Sequence, residues 1–210
     1  MNKNLFVWTQ NIACFPDDHM VKHLDMDKLR AWSLSSREYW QRHGPAPTTW
    51  KKHDFPLLRI RISDQVPVPD HLRCGSVRII SPKLKEVLER LTDLASIAFH
   101  SVTVVHGQES LNYFFYNVLS IEDPINYESS DLTFWSAEDG GDIDSINRLH
   151  VKDNLNLSSN IFVMPNMPTI VVVSAQLKQA IEEAKCTGSL FIELDGYDDL
   201  WMTRPGAYYS

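Results

Sequence analysis

The sequence predicts an α+β fold, with a mixed, largely antiparallel sheet of about six or more strands and two main helices packed on it. A stretch typical of a strand followed by a capped helix occurs twice, at residues 77–89 and 170–182. Each copy is followed by another apolar run, at residues 97–105 and 189–194. An aromatic and apolar segment at residues 111–119 is typical of a central strand.

The two copies share the residues that begin a helix and the residues that bury one of its faces. An apolar β-branched run ends at Ser81 in the first copy and at Ser174 in the second. A serine at this position accepts a hydrogen bond from a free amide of the first helical turn. Apolar residues then recur at helical spacing. We therefore expect the helices to pack on the sheet through Leu84, Leu88, Leu177 and Ile181.

The remaining strands are predicted from short apolar runs between turn-forming connections. Residues 57–62 alternate apolar and basic side chains, which is typical of a half-exposed strand. The other predicted strands are residues 4–8, 149–151, 161–164 and 169–173. We expect a hairpin at residues 107–110, and we expect Gly188 to end the second helix in the left-handed conformation.

Composition divides the chain into three parts. Residues 57–195 form the predicted α+β domain, and residues 196–210 form a C-terminal tail. Residues 1–56 form an irregular N-terminal arm that is rich in tryptophan, and we expect its indoles to attach it to the body. These indoles are those of Trp8, Trp32, Trp40 and Trp50. The alternative is that they form an exposed aromatic face that binds a partner.

The net charge of −7 and the pI near 5.6 argue against nucleic acid as the main ligand, because proteins that contact phosphates present a basic face. The three cysteines match neither a metal-binding spacing nor a disulfide framework, which indicates a reducing compartment. No signal peptide is recognisable, and no segment has the roughly 20 apolar residues of a membrane helix. We therefore expect a soluble cytoplasmic protein that binds neither nucleic acid nor membrane.

The sequence contains no strong catalytic motif, neither a glycine-rich phosphate-binding loop nor a nucleophile elbow. His19 and His23 would share one face of a helix, but a metal site needs further ligands, so no metal or cofactor is predicted. His100 or His106 could be the base of a small hydrolase-like enzyme. No nucleophile is identifiable, and a core or edge histidine is the favoured interpretation of both.

Residues 121–145 contain eight acidic residues and no lysine or arginine. Tyr127, Phe134 and Trp135 lie within the same stretch. One interpretation is a solvated loop that keeps the protein soluble. The other is a recognition surface for a basic partner, in which carboxylates accelerate association and aromatic side chains supply buried anchors.

A series of short motifs follows a fixed order along residues 57–193. The motifs are residues 62–64, 77–81, 84–86, 113–119, Asp123, residues 129–130, 149–153, 160–162, 172–174, 187–188 and Phe191. In this order they resemble the MXAN-type immunity protein family of bacterial polymorphic toxin systems, formerly a domain of unknown function.

The resemblance implies a cytoplasmic antitoxin that binds a cognate toxin domain and blocks it by stoichiometric occlusion, without catalysis. It transfers neither catalytic nor contact residues to this chain. From the acidic stretch we predict that the toxin has a basic contact surface. The predicted contact residues are Glu128, Asp131, Trp135, Glu138, Asp139, Asp142 and Asp144. The alternatives are the hydrolase-like enzyme and a non-catalytic adaptor without a toxin partner.

Overall fold

The computed structural model describes residues 4–11, 21–24, 57–74, 77–135, 143–165 and 167–201. Within these residues the helices are α1 (Pro82–Leu91) and α2 (Ala175–Glu183). The strands are β1 (Leu5–Gln10), β2 (Val21–His23), β3 (Leu58–Ile62), β4 (His71–Cys74), β5 (Val77–Ile80), β6 (Ile97–His106), β7 (Glu109–Val118), β8 (Asp131–Phe134), β9 (Ile143–Arg148), β10 (Ile161–Met164), β11 (Met167–Ser174) and β12 (Ser189–Glu193). The predicted α+β class is confirmed.

The strands form three sheets. A four-stranded sheet has the order β10-β11-β1-β12, a six-stranded sheet has the order β2-β3-β6-β7-β5-β4, and β8 pairs with β9. β3 and β6 are parallel, while the other strand pairs within the described residues are antiparallel. The aromatic strand β7 lies inside the six-stranded sheet, as its composition predicts. The predicted hairpin turns at Gly107 and Gln108, between β6 and β7.

Each predicted strand–helix–strand unit is split by a third strand. β5 and β6, which α1 connects, are parallel to each other with antiparallel β7 between them. β11 and β12, which α2 connects, are likewise parallel with antiparallel β1 between them. The inserted strand follows β6 in a hairpin in the first unit and comes from the N-terminal part of the chain in the second. The two units therefore share one topology although their connections differ.

The two units also share their strand register. Similar residues occupy corresponding positions on the strands that flank each helix and on the inserted strand. The cross-strand pairs are Ile80–Phe114 and Phe99–Tyr116 in the first unit, and Val173–Phe6 and Phe191–Trp8 in the second. The duplication in the sequence thus extends to strand pairings that involve β1 and β7, which lie outside the repeated motif.

Both predicted N-caps are present. The hydroxyls of Ser81 and Ser174 each accept a hydrogen bond from the amide three residues later, at 3.2 Å. Each serine also donates to a side chain elsewhere in the fold, because Ser81 lies 2.6 Å from Asp70 and Ser174 lies 2.8 Å from Asn160. The caps therefore satisfy the helix starts and also connect each helix to a distant loop.

A lysine of each helix covers two phenylalanine rings of its own unit. These lysines, Lys85 and Lys178, occupy the same position in the repeat and pair with Glu89 and Glu182 one turn later. Their ammonium groups lie 5.1 to 5.7 Å from the ring centroids of Phe99 and Phe114 in the first unit and of Phe6 and Phe191 in the second. At this distance a cation is attracted to the ring face, so the lysines hold the helices over the sheets.

The buried apolar residues form three clusters. The central cluster contains residues of both helices and of both larger sheets, including the four predicted helix residues Leu84, Leu88, Leu177 and Ile181. A second cluster joins the four-stranded sheet to Ile143 and Ile146 of β9. The third lies on the opposite face of the six-stranded sheet, with Ile79 and Phe115. Both larger sheets therefore bury side chains on each of their faces.

One local prediction is wrong, and another is correct only in part. Residues 149–151 were predicted to form a strand, but β9 ends at Arg148. Val151 forms only an isolated bridge with Ile125. α2 ends at Glu183, and the residue with a positive φ at its C-terminal end is Lys185, with a φ of 53°, and not Gly188. Gly188 also has a positive φ, but its role is steric. A Cβ at Gly188 would lie 2.2 Å from the backbone oxygen of His71.

The predicted three-part division of the chain stays a prediction, because most of residues 1–56 and residues 202–210 lie outside the described part. The described pieces of both ends are integrated into the fold. β1 lies between β11 and β12, with the Trp8 side chain buried, while Tyr197 and Trp201 of the predicted tail are buried in the second cluster. Trp32, Trp40 and Trp50 lie outside the described residues.

Candidate functional site

The paired strands β8 and β9, with Trp135, form a ribbon that exposes aromatic side chains. Phe134 and Trp135 expose 47% and 54% of their surfaces, and Tyr127, four residues before β8, exposes 41%. Phe134 and Trp135 are adjacent in sequence, and exposed apolar surface that forms a patch is typical of binding surfaces. We call residues 131–135 and 143–148 the β8–β9 ribbon.

The ribbon is attached to the body through β9. Ile143 and Ile146 are buried in the second cluster. The chain after β12 lies along β9, where Asp199 accepts a hydrogen bond from the Ile146 amide at 2.7 Å and its own amide donates to the Ile146 carbonyl at 3.0 Å. β9 is therefore held on one side by Asp199 and on the other by β8, which carries the exposed side chains.

The structure places four of the seven predicted contact residues on or next to the ribbon. Glu128, Asp131, Trp135 and Asp144 are exposed. The other three, Glu138, Asp139 and Asp142, lie outside the described residues.

The first two carboxylates of the acidic stretch make hydrogen bonds within the fold. Asp123 accepts from Lys152 at 2.9 Å and from the Ile125 amide at 3.2 Å. Glu122 accepts from the Ser158 amide at 3.0 Å. These two acids hold the loop that leads towards the ribbon.

A cleft of about 390 Å³ lies between the two larger sheets, next to the ribbon. We call it the arginine cleft after its two cationic side chains. Its polar lining includes Gln10, His71, Arg73, Arg78, Tyr116, Asp144 and Asp199. Ile143 and Asp144 belong to both the ribbon and the lining of the cleft, so the two features adjoin.

His71 lies at the inner wall of the arginine cleft within a network of aromatic and hydroxyl groups. Its Nε2 is 3.2 Å from the Tyr116 hydroxyl, and its Nδ1 is 3.4 Å from the Ser189 hydroxyl, which also accepts from the Trp8 indole at 3.0 Å. Burial, with the positive charges of Arg78 and Arg73, lowers the pKa of His71 to about 3. The imidazole is therefore neutral near pH 7.

Sequence reasoning did not identify the arginine cleft. One signal was present, because Arg78 interrupts the apolar run of β5. The position of Arg78 in the cleft could not be inferred, because its neighbours in β4 and β11 come together only in the folded chain. His71 gave no signal, since a single histidine in a short strand is common.

The two histidines considered as catalytic bases lie elsewhere. His100 is buried, with its ring centroid 5.8 Å from that of Phe115. His106 Nε2 lies 3.0 Å from the Val66 carbonyl oxygen. Neither lines the arginine cleft.

Among the described residues, no group of three or more His, Cys, Asp or Glu side chains is placed to hold a metal ion. The described helices are also too short or too polar to cross a membrane.

Comparison with known proteins assigns the family. No curated protein matches this chain significantly. The model of the Immunity protein family (Imm11) matches residues 12–195, which include both helices, the arginine pair and the β8–β9 ribbon. The resemblance to immunity proteins in the ordered motifs of residues 57–193 is thereby confirmed. The match covers most of the sequence, so this chain belongs to the Immunity protein family (Imm11).

Proposed function

We propose that this protein is an antitoxin that binds a cognate toxin domain in the cytoplasm and blocks it by stoichiometric occlusion, without turnover. Membership of an immunity protein family implies a toxin partner in general. The observation that carries the specific proposal is the β8–β9 ribbon, which combines exposed aromatic rings with exposed carboxylates.

The ribbon has the chemistry of a binding surface. Tryptophan and other large aromatic side chains dominate the binding energy of protein interfaces when they become buried in the complex. Trp135 and Phe134 are the exposed rings of the ribbon. Asp131 and Asp144 lie on the same ribbon and would attract a basic toxin surface, which raises the rate of association.

The ribbon is also held ready for binding. Ile143 and Ile146 bury one face of β9 in the core, and Asp199 satisfies both backbone groups of Ile146. A surface that is ordered before it binds loses less conformational entropy in the complex, which favours the tight association that an occluding inhibitor needs.

The decisive experiment is a titration of toxin activity. The toxin to be tested is the C-terminal domain of any large secreted protein whose gene lies immediately upstream, and the inhibitor is the purified full chain. Occlusion predicts that inhibition increases linearly and is complete at about one molar equivalent when both proteins are far above the dissociation constant. Complete protection at a small fraction of an equivalent would mean turnover and would favour the hydrolase-like alternative.

Co-purification of the two proteins separates occlusion from the adaptor alternative. An occluding inhibitor remains bound to the toxin through size-exclusion chromatography as an equimolar complex. Absence of both a complex and protection would contradict the proposed function.

A further inference from the structure

β8 is the outer strand of the β8–β9 ribbon, and the hydrogen bonds of β9 define which of its backbone groups are free. Leu132 lies opposite Ile146 in the antiparallel register. In an antiparallel pair, opposite residues either exchange both backbone hydrogen bonds or exchange none. The amide and the carbonyl of Ile146 bond to Asp199, at 2.7 and 3.0 Å, and therefore point away from β8. Leu132 consequently directs its own N–H and C=O away from β9.

Phe134 presents its backbone in the same direction. Successive residues of a strand direct their N–H and C=O groups to opposite sides, so Thr133 faces β9 and Phe134 faces outward. The pairing has two register shifts, but the extra residues, Asp144 and Asn147, both lie in β9 and leave β8 regular. Among the described residues, the amides and carbonyls of Leu132 and Phe134 have no hydrogen-bond partner. The outer edge of β8 therefore offers backbone donors and acceptors at two positions.

Two other sheet edges are covered by the fold. At the edge strand β4, the His71 amide donates to the Thr187 carbonyl at 2.9 Å. The Arg73 amide of the same strand donates to the Gln10 side chain at 2.8 Å. Residues 120–122 form two backbone hydrogen bonds with the edge strand β10. β8 has no such cover within the described part of the chain, and an uncovered edge is a template for a strand of another chain.

The two faces of β8 differ in chemistry. Leu132 and Phe134 lie on one face, where Leu132 packs against the second core cluster and Phe134 is about half exposed. Asp131 and Thr133 lie on the opposite face, and both are exposed. A strand added beside β8 would have the same alternation, so one of its faces meets apolar side chains and the other meets a carboxylate.

The charge of the ribbon favours a basic strand over a second copy of this chain. Glu128, Asp131 and Asp144 are exposed, and Arg148 is the one basic residue of the ribbon. Opposite charges on neighbouring strands stabilise a sheet, and like charges destabilise it. A second copy would bring another Asp131 and another net charge of −7 to this edge.

We propose that the toxin adds a strand to the free edge of β8. The added strand bonds through its backbone to Leu132 and Phe134. Its side chains are apolar on the face of these two residues and basic on the face of Asp131. Main-chain hydrogen bonds of this kind supply affinity, while the alternating side chains supply specificity. The inference rests on the proposed function and specifies which part of the toxin the ribbon binds.

Hydrogen exchange locates the added strand at single amides, observed by NMR on the ¹⁵N-labelled full chain. In the free chain the amides of Leu132 and Phe134 should exchange rapidly, because they face solvent. The amide of Thr133 donates to β9 and should already be protected. In the equimolar complex with the toxin, the two outward amides should exchange at least about tenfold more slowly.

A pair of variants at Phe134 separates the backbone contact from the side-chain contact. Phe134→Ala and Phe134→Pro both remove the ring, but only proline also removes the amide donor. Proline is tolerated on an edge strand where the N–H faces away from the sheet, so urea unfolding should give the two variants similar stability. The Kd for toxin should be about tenfold higher for Phe134→Pro, because its acceptor in the toxin loses a hydrogen bond. If Phe134→Pro does not fold, the exchange measurement decides alone.

The outcomes separate this inference from the proposed function. If a complex forms but the Leu132 and Phe134 amides exchange as fast as in the free chain, the inference is overturned and the proposed function stands. Equal Kd values for the two folded Phe134 variants would have the same meaning. A free chain that is dimeric in size-exclusion chromatography, with both amides already protected, would identify a second copy as the occupant and reject the toxin strand. If the wild-type chain forms no complex with the toxin, the proposed function fails and the inference fails with it.

Discussion

The indole ring of Trp8 and the phenol ring of Tyr116 stack with their centroids 5.2 Å apart and their planes inclined by 19°. The two residues occupy corresponding positions on the strands inserted into the two split units, opposite Phe191 and Phe99 respectively. The contact therefore joins the two halves of the duplicated fold at equivalent points, and His71 lies beside both rings.

Trp8→Ala should destabilise the protein by about 3–5 kcal/mol, because the indole is 2% exposed and its removal leaves a cavity between the two units. Urea unfolding followed by circular dichroism measures the change. Trp135→Ala is the matched control, since that indole is half exposed, and its effect on stability should be within about 0.5 kcal/mol. Equal losses for the two variants would contradict the assigned role of Trp8.

Gly188→Ala should cost about 1–3 kcal/mol more than Gly196→Ala, because its Cβ would clash with a backbone atom. Both glycines have a positive φ, of 83° and 82°, so an alanine meets the same backbone cost at each. A Cβ at Gly188 lies 2.2 Å from the His71 backbone oxygen, whereas a Cβ at Gly196 has no atom within 4 Å. Thermal and denaturant unfolding of both variants give the difference, and equal losses would mean that the clash is relieved by backbone movement.

Stability should fall as the pH is lowered from about 6.5 towards about 3 because of His71. Its folded pKa lies below its unfolded value, so below pH 6.5 the unfolded chain binds a proton that the folded protein does not. His71 should contribute a slope of about 1.4 kcal/mol per pH unit across this window. Urea unfolding at several pH values measures the slope, which should be shallower in His71→Gln. Titration of the His71 imidazole near pH 6.5 in the folded protein, observed by NMR, would contradict the assignment.

Reversing Asp131 and Asp144 to lysine should slow toxin association and raise Kd by about tenfold, because both carboxylates would attract a basic surface. The effect should shrink at high salt. The control reverses Glu86 and Asp93, two exposed acids at the α1 side of the protein, which changes the net charge equally. Stopped-flow measurements across salt concentrations distinguish the pairs. The same rate for both double variants would show that only net charge matters.

Trp135→Ala should weaken toxin binding by about 2 kcal/mol, as expected for an aromatic anchor that becomes buried in the complex. Isothermal titration calorimetry measures the loss. Leu94→Ala, which removes another exposed apolar side chain at a distance from the ribbon, is the control. Unchanged affinity of Trp135→Ala would move the toxin contact away from the β8–β9 ribbon.

The sequence by itself determined the local elements, because capping and periodicity act within a few residues. Ser81 and Ser174 predicted both helix starts, and apolar spacing predicted the buried face of each helix. The alternation along β3 predicted its half-exposed character, which the burial of Leu58, Ile60 and Ile62 confirms. The order of these elements also carried the resemblance to immunity proteins.

Only the tertiary structure decided which strands lie side by side. The pairing of β7 with β5, and the insertion of β1 between β11 and β12, depend on contacts between segments far apart in sequence, for which periodicity contains no information. For the same reason Arg73 and Arg78 were not recognised as cross-strand neighbours that line one cleft. Nor were the acids of residues 121–145 separated into those that hold a loop and those that are exposed. Long-range packing fixes these relationships, because a side chain's charge and burial depend on neighbours that the folded chain alone brings together.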